Sequence, residues 1–257
     1  SAASDVYKRQ LYMRAKELDR DYVVTGHYAR VEKDGNGRFL LKKALDDTKD
    51  QSYVLYCLTQ EQLSHTIFPL GEMRKSQARE IAESQGFINA RKADSQDICF
   101  VQNGGYADFI EQYTGKNYPD GDFLDTNGNV IGRHKGVIRY TVGQRKGLGI
   151  SAPEPLYVKA VNPVSNTVTL SYNDGLYSSI VKAGDINLIS VPEINGEMRV
   201  KAKVRYRHTE QWATVTQNGD TITAVFDEPQ RAVTCGQALV LYDGDIVVGG
   251  GTIIEVE

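Results

Sequence analysis

Cysteine is scarce in this chain: Cys57, Cys99 and Cys235 are the only three among 257 residues. Odd in number and far apart, they form no CxxC or Cys/His spacing, which argues against a disulfide scaffold or a structural metal. No apolar run approaches the ~18 residues of a membrane span. The N-terminus has no charged-then-apolar signal pattern. The formal net charge is only −3, so the global balance announces neither nucleic acid nor membrane as a partner. Repeats and low-complexity segments are missing too. These absences lead us to expect a cytoplasmic protein with no membrane partner. Its length suffices for two or three domains with real cores.

The first residues also lack something. There is no initiator Met, and SAASDVYKRQ shares no pattern with the residues after it. Residues 1–10 therefore read as a non-native leader before a chain that starts in mid-domain. Leu11 to Arg20 reads as the end of a helix, and Asp21 to Thr25 (DYVVT) as a short buried strand ending at Gly26-His27. The GNG at 35–37 predicts a hairpin. Residues 51–66 and 74–86 read as helices, the second with Ala78, Ile81 and Ala82 on one face and Gly86 as its stop. Strand, helix and helix in this order suggest the tail of an α/β domain.

A short helix is expected from Tyr106 to Tyr113. Residues 115–153, rich in Gly, Asn, Asp and Pro, read as a loop-rich linker or small domain. From Pro155 onward the pattern is β: LYVKAV, TVTLSY, RVKAKVRY, WATVTQ, TITAVF, ALVLY and DIVVGGGTIIEV. Short runs separated by turn residues predict a small antiparallel barrel or sandwich.

Two stretches depart from the mildly acidic average. Thr126 to Pro153 contains no acid but holds Arg133, Lys135, Arg139, Arg145 and Lys146. Met198 to Thr209 also lacks acids and carries Arg199, Lys201, Lys203, Arg205 and Arg207, all at odd positions. On a strand these five would line one face about 6.7 Å apart, with Val200, Ala202, Val204 and Tyr206 toward the core. Such a row fits either a solvated barrel face paired with acids of the next strand or a phosphate-backbone track. Tyr140, Tyr206 and Trp212 lie in or beside these stretches and could stack on bases.

Three smaller features remain. Gly26 and His27 end a strand, the usual ligand edge of an α/β sheet; a lone His near a turn is more often structural. Lys49-Asp50-Gln51-Ser52 opens a helix, where Asp50 can cap and free N–H groups suit an anion. Cys99, in DSQDICF, is flanked by Ile98 and Phe100. On these residues alone it reads as a small core side chain, since Asp94 and Asp97 would raise a thiol pKa.

Taken in order, TGHYARV, KDQSYVLYCL, FPLGEMRKSQAREIAE, ADSQDICFV, GRHKGVIRYTVGQRKGLGI, KVRYRH and GQALVLYDGDIVVGGGTI resemble the bacterial tRNA-specific 2-thiouridylases. The resemblance spans roughly residues 11–257. It implies an α/β fold, a partial ATP-pyrophosphatase (adenine nucleotide alpha hydrolase-like) domain, followed by a small central domain and a C-terminal antiparallel β-barrel. The boundaries it suggests are 1–102, 103–183 and 184–257. It also implies the reaction: ATP adenylates C2 oxygen of the tRNA wobble uridine, and a cysteine persulfide delivers sulfur to C2. ATP is then a Mg-bound co-substrate with no permanent metal. The partners are tRNA with a wobble uridine and a persulfide sulfur donor protein.

By the same motif matching, Cys99 carries the persulfide and Gly26 approaches ATP. His27, Lys49, Asp50, Gln51, Arg205, Tyr206 and Gln237 contact tRNA. The match of Tyr206 conflicts with its assignment to the core. The family's Ser-Gly-Gly-x-Asp-Ser phosphate loop and first catalytic cysteine do not occur in these residues, so the chain reads as an N-terminally truncated member, inactive alone. The rival class is a non-catalytic RNA-binding module. Another ATP-pyrophosphatase enzyme, such as an amidotransferase partner, would not predict the cationic β-region.

Overall fold

The computed structural model describes residues 2–91 and 105–257, with side chains from Gln10 onward. In chain order the elements are α1 (Ala2–Glu17), β1 (Val23–Val24), β2 (Ala29–Lys33), β3 (Phe39–Lys43), α2 (Ser52–Leu55), α3 (Gln60–Ser64), β4 (Thr66–Ile67), α4 (Lys75–Ser84) and α5 (Gly105–Thr114). Then come β5 (Gly121–Leu124), β6 (Val130–His134), β7 (Tyr157–Asn162), β8 (Thr167–Ser171), β9 (Tyr177–Leu188), β10 (Met198–Lys203), β11 (Gln211–Asn218), β12 (Thr221–Arg231), β13 (Ala238–Asp243) and β14 (Ile246–Val256). The chain forms two compact units: residues 1–92, 179–229 and 234–257 make one, and 93–178 with 230–233 the other. Among the described residues no helix is long and apolar enough to cross a membrane.

In the first unit, the order β13-β10-β11-β12-β9-β14 closes on itself because β13 also pairs with β14. This is the expected C-terminal antiparallel barrel, now with six strands. Alternation fills it: Val200, Ala202, Ala213, Val215, Ile222 and Ala224 are all at most 2% exposed. Strand β13 is buried on both faces. Leu239 and Leu241 alternate with Val240 and Tyr242, and the latter pair joins a second cluster with Ala29, Leu41, Tyr53, Leu55 and Leu63. That two-sided burial explains why ALVLY reads as a continuous apolar run. Each such fully buried large side chain contributes about 1.5–3 kcal/mol.

The α/β piece is fused to the barrel rather than resting on it. The β2–β3 hairpin extends the barrel sheet past β14 through Ile246 and Lys42. Arg38 of this hairpin donates to the carbonyls of Leu188, Ile189 and Val191. Asn187 of β9 donates from its amide to the carbonyls of Tyr56 and Leu58, at 2.7 and 3.0 Å. Gly250 permits a close approach: a Cβ there would meet Leu239 O at 2.4 Å and the Tyr56 ring at 2.9 Å. Strands β1 and β4 pair in parallel beside this seam.

The second unit holds the sheet β6-β5-β8-β7, with β5 and β8 parallel and the other pairs antiparallel. Its core is Phe123, Val137, Leu148, Val158, Val168 and Leu170.

Several expectations are corrected. Residues 51–66 are two short helices, because Thr59 starts a new one with a reciprocal Thr59/Gln62 capping box. Residues 115–153 contain a hairpin, β5–β6, whose turn is tied by Asp125 accepting from the N–H groups of Asn127 and Asn129. LYVKAV and TVTLSY belong to this central sheet, not to the barrel. The barrel instead recruits β9, a 12-residue strand that the apolar pattern does not reveal. Cys57 lies in the turn after α2, not within a helix.

Candidate nucleic-acid interface

Strand β10 ends at Lys203, and the chain turns through Val204 to His208. Alternation holds up to Val204, which is 1% exposed. Beyond the strand it fails, so Tyr206 is 41% exposed and not a core residue. The assignment of Tyr206 to the core is thus overturned by the strand's end. The five cations do not form one uniform row either.

At the start of β10, acids answer the cations. Arg199 forms a two-pronged ion pair with Asp227, which holds that carboxyl below its usual range. Lys201 lies 3.9 Å from Glu210, whose other oxygen takes Lys43 at 2.7 Å. Both Arg199 and Lys201 stand over the Trp212 ring, 5.1 and 5.5 Å from its centre. For these two the solvated, paired face is the reading the geometry favours.

At the other end the strand meets the segment before α2. Tyr206 Oη donates to the carbonyl of Asp50 at 3.2 Å, and its ring lies 6.0 Å from that of Tyr53. Burial and the nearby Asp50 push the Tyr206 hydroxyl pKa up. Arg205 donates to Thr234 Oγ1 at 2.8 Å. Tyr53 Oη donates to the carbonyl of Ala238, next to the exposed Gln237. Lys49 lies close enough to Tyr206 to favour its ionised form. Six of the seven sequence-predicted tRNA residues, 49–51, 205–206 and 237, are thus gathered at or beside one seam.

The local fold explains their rigidity. The Asp50 carboxylate accepts from the N–H groups of Ala44 and Ser52, at 3.0 and 3.2 Å, and from the Ser52 hydroxyl at 2.7 Å. Gln51, not Asp50, occupies the N-cap position of α2 and makes no side-chain cap there. Instead its amide oxygen accepts from Tyr28 N–H at 2.9 Å while its own N–H donates to Tyr28 O at 2.8 Å. This two-point clasp ties the 49–51 segment to His27, the seventh predicted residue. His27 shares a 2.9 Å hydrogen bond with Thr25 and sets its ring edge-on to Phe68. Asp50 is therefore spent on holding the turn, whereas Gln237 and Tyr206 are exposed.

Gly26 is exposed, and a Cβ there would meet only Leu70 Cδ1, at 3.7 Å. Neither packing nor a positive φ requires glycine, which leaves room for a close ligand. Thr25 and His27 line a cavity of about 130 Å³ together with apolar Leu55, Leu58 and Phe68. These residues suit an edge of a nucleotide but supply no phosphate cradle. Cys99 lies outside the described residues. Cys57 packs against the core, and Cys235 is an exposed turn residue.

In the second unit the basic stretch is partly paired. Arg139 bonds Asp108 and Glu111 at 2.8 and 3.1 Å, and Arg133 lies 3.7 Å from Asp122. Tyr140 is packed edge-on against Phe123 and His134, so it is not presented for stacking. In the sequence Lys203 is merely one member of the cationic row. Its distinct environment arises from the turn beyond β10, which periodicity does not report.

Family comparisons agree with this architecture. A "tRNA methyl transferase HUP domain" model matches residues 4–103, a "tRNA methyl transferase PRC-barrel domain" model 107–172, and an "Aminomethyltransferase beta-barrel domain" model 178–253. The tRNA-specific 2-thiouridylase MnmA of Clostridioides difficile is 50% identical over 244 residues, covering 94% of this chain and 68% of that protein. That of Lachnoclostridium phytofermentans is 50% identical over 246 residues, covering 95% and 69%. The Halothermothrix orenii protein is 46% identical over 254 residues, covering 98% and 71%. With half of its residues shared over nearly its whole length, this chain belongs to the tRNA-specific 2-thiouridylase family.

Proposed function

We propose that this chain serves a tRNA-uridine 2-sulfurtransferase, in which its seam between α2 and the barrel docks tRNA. The supporting observation is the convergence of 49–51 and 205–206, joined by the Tyr206–Asp50 hydrogen bond. Lys49, Arg205 and Arg207 supply charge for the phosphate backbone, Tyr206 a ring edge, and Gln237 an amide for polar contacts. His27, clasped to the same turn through Tyr28 and Gln51, reaches the RNA from the α/β side. The division into 1–102, 103–183 and 184–257 assigns catalysis to the first part and shares docking between the first and the last.

In this reading ATP, as its Mg complex, makes the C2 oxygen of the wobble uridine a leaving group. Gly26 is the residue present here that would lie against the nucleotide. A persulfide on Cys99, loaded by a sulfur donor protein, supplies the sulfur. Its terminal sulfur bonds to C2 as AMP leaves, and a second thiol then takes Cys99 into a disulfide, which frees the 2-thiouridine. No Ser-Gly-Gly-x-Asp-Ser sequence occurs in the 257 residues, so we expect them not to complete turnover alone. A thiolation assay with ATP, a persulfide donor and wobble-uridine tRNA checks this. Robust 2-thiouridine formation by these residues alone would overturn the inactivity.

The second reading, a non-catalytic RNA-binding module, draws on the same gathered seam. It predicts salt-dependent tRNA binding with no ATP consumption even in a longer chain that carries a Ser-Gly-Gly-x-Asp-Ser phosphate loop. Sulfur transfer by such a chain, lost on Cys99→Ser, would decide for the enzyme.

A further inference from the structure

Lys203 is the last residue of β10, on the outward face it shares with Arg199 and Lys201. Unlike theirs, its side chain makes no hydrogen bond or ion pair with any described residue. Its ammonium stands over the Tyr53 ring, 5.9 Å from the centre, and is half-buried. The acids that face it are Asp50 and Glu210, and the cation that faces it is Lys43. Neither acid is within bonding reach. Asp50 has its oxygens on Ala44 and Ser52, and Glu210 has its on Lys43 and Lys201. Burial, the largest influence, lowers the Lys203 pKa. An ammonium that has shed water and kept its donors unspent is costly unless an anion completes it.

We propose that Lys203 seats one phosphodiester of the bound RNA, beside residues 49–51 and 205–206. The inference rests on the seam being the tRNA-docking surface. The aromatic wall of Tyr53 supplies low-dielectric backing, which strengthens an ammonium–phosphate contact. Arg205, whose charge also acts on Tyr53, stands on the same wall. The contact reads no base, so Lys203 sets the register of the RNA on the barrel rather than its sequence. The rival is a lysine whose stem merely covers Tyr53 while its head remains in water.

Equilibrium tRNA binding by the full 257-residue chain over a salt series tests this, with K203M, K203R and R205M. K203M should weaken binding about five- to tenfold and flatten the log–log salt slope by just under one charge. K203R should restore most of both, and K203M should melt no lower than the wild type. Unchanged affinity and slope in K203M, with R205M weakened, would overturn the phosphate seat alone. A K203M loss that tracks a lowered melting temperature, unrescued by K203R, would also overturn it. No salt-dependent tRNA binding by the wild type would sink the docking surface and the seat together. A free nucleotide offers the same chemistry: AMP affinity that falls in K203M would move the assignment from RNA to a mononucleotide.

Discussion

The two ends of strand β10 carry the same kind of charge in opposite circumstances. Arg199 and Lys201 face Asp227 and Glu210 and lie over Trp212. Lys203 and Arg205 face the seam, where the nearby acids are occupied by backbone and by other lysines. A row of cations in a sequence is therefore not one feature. What separates a solvated face from a docking surface is whether neighbouring carboxylates still have oxygens to give, and that is a tertiary property.

The most disruptive way to break the comparison is to loosen the seam itself. Leu41→Ala, at a fully buried site between hairpin and barrel, should cost about 2–5 kcal/mol. Denaturant titration measures this, and tRNA binding should fall with it. Next in size, Arg205→Met should weaken tRNA binding about tenfold, the scale of one charge-assisted contact, while Arg199→Met changes it less than about twofold. Equal losses at both ends in filter binding would erase the distinction. Tyr206→Phe removes the bond to Asp50 and should lower stability by about 0.5–1.5 kcal/mol, read by thermal melting.

The smallest effect is a matter of pH. The pKa of Lys203 is lowered in the fold by burial from the ordinary value of 10.5. Between the lowered value and 10.5 the unfolded chain binds more protons than the folded one. Stability contributed at this site therefore rises with pH across that window. Melting temperatures of wild type and K203M, compared through the alkaline range, should converge as pH approaches the ordinary lysine value. A constant gap would mean that Lys203 is already fully solvated.

Much of the barrel was legible because its strands alternate: Val200, Ala202 and Val204 are inside as expected. The GNG turn, α4 and α5 were legible for equally local reasons. Strand β9 was not, since Lys182, Gly184 and Asp185 interrupt its apolar pattern while β14 absorbs the irregularity through register shifts. The hairpin β5–β6 was hidden by its own turn residues, which read as linker. At the site, motif resemblance picked out the residues that gather at the seam. It could not tell that Asp50 is inwardly committed or that Tyr206 lies past the strand's end. Those facts depend on where β10 stops, which local propensity leaves open by a residue or two.

The hairpin that continues the barrel sheet has a consequence for engineering. Cutting at the sequence boundary between 183 and 184 would leave β9 divided and strip β2 and β3 from beside β14. The excised piece would present an open strand edge and an uncovered apolar wall at Val240 and Tyr242, an invitation to self-association. The transferable module is thus a discontinuous one, barrel plus hairpin plus α2. Grafting the proposed docking surface onto another protein would mean moving three separated stretches of chain together.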